Sequence, residues 1–97
     1  MNIRFLAPAR TDLRDAIKYF EGQRPGLGAT FRDEVYAAVE RIEKHPKAWR
    51  ELSPNTRRHR IQKFSYGVIY AIEADEILIV AIAHSHREPD YWRGRTT

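Results

Sequence analysis

The sequence predicts an α+β domain, a helical hairpin packed on an antiparallel sheet, and three observations carry that prediction. Apolar residues recur at helical spacing through residues 13–20 and again through 31–42. After Pro54 the apolar period changes to two, and strand-like runs succeed one another as far as His84. Helices therefore cluster early and strands late, which suits an α+β domain. With 97 residues the chain can bury one core, so residues 1–97 are expected to form a single domain.

Each element has its own local cause. In NIRFLA, Ile3, Phe5 and Ala7 alternate with Asn2, Arg4 and Leu6, as in a strand. Pro8 suits the first turn of a helix, and Leu13, Ala16, Ile17 and Phe20 then form its apolar stripe. Arg10, Arg14 and Lys18 mark a basic line on another side of that helix. PGLG at 25–28 breaks the chain. A second stripe follows through Phe31, Val35, Ala38, Val39 and Ile42, with Glu40 and Lys44 spaced to pair outside it. His45 before Pro46 ends this helix, because a residue preceding proline is disfavoured in helical geometry.

RRHRIQKF, FSYGVIYAIE and EILIVAIAH then read as three successive strands, the last two joined by a tight turn at Ala74 and Asp75. ILIVAIA is apolar throughout, as expected of a strand covered on both faces or central in its sheet. RRHRIQKF is mostly polar and belongs nearer an edge. Gly67 interrupts a good strand and marks either a bulge or a close backbone approach. The ending AHSHREPDYWRGR reads as a strand end and a packed tail, with Tyr91 and Trp92 covering an edge of the core.

Composition narrows the function classes. The chain has no cysteine, which excludes disulfides and thiolate metal sites and fits a cytoplasmic protein. The first apolar stretch is too short for a signal peptide, and no run is long enough to span a bilayer. Residues 50–63 hold five Lys or Arg and one acid, which equals the whole net charge of +4. Such a stretch suits an anionic partner, nucleic acid or an acidic protein, or else a solvated edge strand that discourages aggregation. His84 and His86 share a face at strand spacing but lack a third clear ligand, so neither a metal nor another cofactor is expected.

The order of elements, together with ARTDLRDAIKYFE, RPGLGATFRDEV, FSYGVIYAIEADEILIVAIAH and HREPDYW, resembles the RelE/ParE superfamily of toxins from type II toxin–antitoxin systems. The resemblance runs from about residue 3 to 95 and is closest to the ParE, plasmid-stabilisation branch. It implies a cognate antitoxin, usually acidic and partly disordered, that folds around the toxin, and operator DNA met only through that complex. ParE-like members generally poison DNA gyrase, whereas RelE-like members cleave messenger RNA on the ribosome.

The cleavage reaction needs a proton acceptor, cations around the phosphate and a proton donor for the leaving oxygen. Arg58 and Arg60 lie where RNA-cleaving relatives carry basic residues, and their spacing points both to one face. Arg87 and Tyr91 resemble the Arg and Tyr that end the RelE pattern. Gly67, however, stands where those relatives often carry an arginine, so one cationic contact is missing. The expectation is therefore a gyrase inhibitor acting by binding, with Arg57, Arg58, Arg60 and Arg87 for target or antitoxin. Arg58, Arg60, Arg87 and Tyr91 are catalytic candidates only for the alternative, a ribosome-dependent endoribonuclease. A non-catalytic nucleic-acid-binding module or a degenerate toxin kept for operon control is a further alternative.

Overall fold

A computed structural model describes residues 1–86 and 91–95. The order is β1 (Asn2–Phe5), α1 (Ala7–Gln23), α2 (Leu27–Lys44), β2 (Arg50–Ser53), β3 (Thr56–Ile61), β4 (Tyr66–Glu73) and β5 (Glu76–His84), followed by a 3-10 turn at Arg93–Arg95. The five strands form one sheet in the order β1-β5-β4-β3-β2. Neighbours from β2 to β5 run antiparallel, whereas β1 runs parallel to β5. Two features go beyond the expected antiparallel β-α-α-β-β-β order. The sheet is mixed, and RELS forms an extra edge strand, irregularly paired between Glu51 and Ser53.

Both helices lie on one face of the sheet. Leu13 and Ala16 of α1 and Phe31, Val35, Ala38 and Ile42 of α2 are buried against Val68, Tyr70, Ile77, Ile79 and Ile82. Phe20, Phe31, Phe64 and Tyr66 meet mostly edge to face, with centroids 4.9–5.7 Å apart. The hairpin is closed by Glu21, whose carboxylate accepts the N–H groups of Gly26 and Gly28 at 3.0–3.1 Å. At Gly28 a Cβ would lie 2.7 Å from the Ile17 carbonyl oxygen, so only glycine lets the two helices approach this closely. Lys44 and Glu40 pair at 3.7 Å, and α2 ends at His45 as expected.

The opposite face is covered differently. Along β5, Ala81 pairs with Ile69 and Ile79 with Tyr70, which leaves Val80 as an extra residue in a bulge. The bulge shifts the alternation, so Ile77, Ile79 and Ile82 face the helices while Leu78, Val80 and Ala81 face away. Those three, with Ile69 and Ala71, pack beneath Trp92, which is 7% exposed. The tail thus covers the second face of the sheet, where the sequence placed it at an edge of the core. ILIVAIA is apolar throughout because both its faces are buried.

One ion pair pins that tail. Arg95 Nη1 donates to Asp12 Oδ2 at 2.7 Å and Nη2 to Oδ1 at 3.3 Å, while Nη1 also reaches the Val80 carbonyl oxygen at 3.0 Å. Asp12 Oδ2 accepts the Ile82 N–H as well. β1 pairs with β5 only as far as Ile79, so a carboxylate from α1 and a guanidinium from the tail bond the strand edge beyond it.

Candidate functional site

β3 sends alternate residues to opposite faces, and this separates its three arginines. His59 and Ile61 point to the helices, and so does Arg57, whose Nη1 donates to the carbonyl oxygens of Lys47 and Trp49 at 3.1 and 2.8 Å. Glu51 lies 3.6 Å from its other terminal nitrogen. Arg57 therefore ties down the segment between α2 and β2. Its Nε is buried with no hydrogen-bond partner among the described residues.

Arg58 and Arg60 face the other way, into a groove of about 930 Å³ on the helix-free side of the sheet. Arg50 joins them, since it stands directly across from Arg58 in the β2–β3 register. Partial burial lowers the pKa of Arg58, and the like charges of Arg60 and Arg50 lower it further. Among the described residues no carboxylate forms a salt bridge with any of the three. Lys63, Tyr91 and Trp92 also line the groove.

Gly67 is a close approach and not a bulge. It lies opposite Arg60, and a Cβ there would sit 3.1 Å from both Cγ and Cδ of Arg58. The absent side chain leaves room for the Arg58 stem to cross β4. A glycine in place of a cation on β4 thus positions a cation belonging to β3.

Two side chains suited to proton transfer, His59 on the helix face and Tyr91 in the groove wall, are occupied. His59 is 6% exposed, stacked at 4.4 Å on Trp49, and bonded through both ring nitrogens. Nε2 accepts from Arg41 Nε at 3.2 Å, which makes Nδ1 the protonated nitrogen, 2.7 Å from the Arg60 carbonyl oxygen. Burial lowers its pKa, and the neighbouring Arg41 acts in the same direction against the carbonyl contact. Tyr91 turns its hydroxyl toward Asp12 Oδ2, 3.5 Å away, with the Arg95 guanidinium 5.0 Å from its ring centroid. Arg87 lies outside the described residues.

The histidine pair is a local contact. The His86 N–H donates to His84 Nδ1 at 3.0 Å, the rings are 5.3 Å apart, and Tyr66 meets His84 edge-on. Among the described residues no group of three potential metal ligands forms. Tyr70 is wholly buried, its hydroxyl donates to the Pro46 carbonyl oxygen, and burial raises its pKa.

Sequence reasoning missed Arg50, Asp12 and Arg95. Arg50 was legible only as part of a basic stretch, because its role needs a strand with a single apolar residue. Asp12 and Arg95 are 83 residues apart, and nothing local signals their pairing.

Comparison with curated proteins yields no match. Among solved structures, one from the chromosomal ParDE TA system of P. aeruginosa superposes with a TM-score of 0.78 at 16% identity, covering 87% of this chain and 95% of that one. At that identity the likeness is one of fold. Residues 3–89 match the family described as the ParE toxin of the type II toxin–antitoxin system parDE. That match covers most of the sequence, and the chain belongs to the ParE toxin family.

Proposed function

We propose that this ParE-family toxin inhibits DNA gyrase by binding it and stabilising a cleaved enzyme–DNA state, and that a cognate acidic antitoxin neutralises it in the cytoplasm. One observation carries the preference for binding over catalysis. The groove gathers cations, while Tyr91 in its wall turns its hydroxyl toward Asp12, and His59 is turned to the helix face with both ring nitrogens bonded. Phosphate chemistry needs cations and a proton relay together. Arg50, Arg58 and Arg60, with Arg87 from the tail, are the residues assigned to contact, and a basic groove complements a disordered acidic antitoxin segment. The complex would meet operator DNA through the antitoxin.

The test is a supercoiling assay in which purified, antitoxin-free protein is titrated against gyrase. Loss of supercoiling with accumulation of cleaved DNA is the expected result. Folded protein that leaves gyrase untouched, but cuts messenger RNA on ribosomes, would replace this proposal with the endoribonuclease.

A further inference from the structure

We propose that Arg50, Arg58 and Arg60 form a binding site for the phosphodiester backbone of a single DNA strand. This rests on the gyrase reading above, in which the toxin acts where DNA is held cleaved.

The site is built by the fold. Arg58 and Arg60 are two residues apart on one strand, hence roughly 6.5 Å apart along it, and Arg50 stands across from Arg58 on the next strand. Partial burial lowers the pKa of Arg58, and the like charges of Arg60 and Arg50 beside it add to that shift. Among the described residues none of the three has a carboxylate partner. Folding pays to keep them together, and an anionic ligand recovers that energy. Gly67 adds a positional requirement, because it seats the Arg58 stem against the sheet and so limits where the guanidinium can reach.

Ligand class follows from charge density and from what the groove withholds. A nucleic-acid strand presents one full negative charge per nucleotide at regular spacing, matching cations at regular spacing along a strand. A peptide matches it only if acids recur at every such step. Trp92 is buried and Arg93 lies 4.9 Å from its ring centroid, so it offers bases no open stacking face. Recognition is therefore of phosphates, without base sequence. A single strand is proposed because a groove of about 930 Å³ is small beside a duplex.

The test uses full-length, antitoxin-free protein and a labelled twelve-nucleotide oligo(dT), followed by fluorescence anisotropy across a salt series. Arg50→Glu and Arg60→Glu reverse exposed charges and spare the core, and circular dichroism checks their fold. Each should weaken binding about tenfold or more and flatten the salt dependence by about one phosphate contact. Arg14→Glu, on α1, makes the same change of net charge away from the groove and should leave affinity within about twofold. Equal losses in all three variants would overturn the site as mere net-charge attraction. So would absence of binding at 50 mM salt, about tenfold tighter binding of oligo(rU), or displacement by poly-glutamate at an equal concentration of charges. These results are separable from the gyrase outcome: supercoiling inhibition without oligo(dT) binding sinks the DNA site alone. Oligo(dT) binding by a protein inert toward gyrase sinks the proposed target and leaves the site.

Discussion

The two faces of the sheet are finished by different means. The helix face is closed by two amphipathic helices whose stripes are continuous in sequence, and its polar groups, Tyr70, His59 and Arg57, are all held by neighbours. The far face is closed over only part of its area, by a tail that contributes Trp92 and is fastened by Arg95 to Asp12. The remainder carries arginines. Neighbouring residues of β3 show the contrast most directly, since Arg57 faces one side as a structural clamp and Arg58 the other as a groove cation. Identical side chains acquire opposite roles from the two-residue period of a strand.

Removing the cap of the far face should have the largest effect. Trp92→Ala deletes the largest side chain in that cluster and should cost about 3–5 kcal/mol by denaturant unfolding. A cost under about 1 kcal/mol would mean that the tail is not integral to the domain.

Cutting the fastener should cost less. Asp12→Ala leaves the Arg95 guanidinium without its carboxylate and the Ile82 N–H without its acceptor. Asp12 is 9% and Arg95 17% exposed, so the penalty of a fully buried pair is only partly realised. About 2 kcal/mol is expected, together with faster hydrogen exchange at Ile82 and in the tail. An unchanged exchange pattern would assign the hold entirely to Trp92.

Acid probes the helix face. In the unfolded chain His59 titrates near its ordinary value of about 6.5, whereas burial and Arg41 lower that value in the fold. The unfolded chain therefore takes up the proton first as pH falls. The contribution of His59 is full above the unfolded value and is lost as pH falls toward the lower folded one. Thermal unfolding at several pH values should show stability declining on acidification from about pH 7, and the decline should be shallower in His59→Gln. Matching slopes in the two proteins would remove His59 as the cause.

Tyr91→Phe should do least. It deletes a hydroxyl whose contact with Asp12 is long and leaves the ring in place, so toxicity in a growth assay should be nearly intact. Loss of toxicity with the fold retained would point to proton transfer and to the endoribonuclease.

Much of this architecture was legible because its causes are local. Helical stripes, the PGLG break, the end of α2 before Pro46 and the turn at Ala74 and Asp75 all follow from backbone preference and periodicity over a few residues. β2 was not legible, since RELS contains one apolar residue and owes its strand to pairing with β3. Nor was the parallel direction of β1, which is set by a partner more than seventy residues away. The site divides the same way. That Arg58 and Arg60 share a face is a property of strand geometry, readable from their spacing. That Arg50 joins them, that Gly67 seats Arg58, and that Arg57 is occupied elsewhere required the register of three strands.

The sequence by itself determined the two helices with their inward stripes and the order of every strand but β2, because helix and strand periods act over single turns and pleats. Only the tertiary structure decided which face the tail covers and which cations are left facing solvent. Those outcomes depend on contacts between distant residues, such as Asp12 with Arg95, that no local preference encodes.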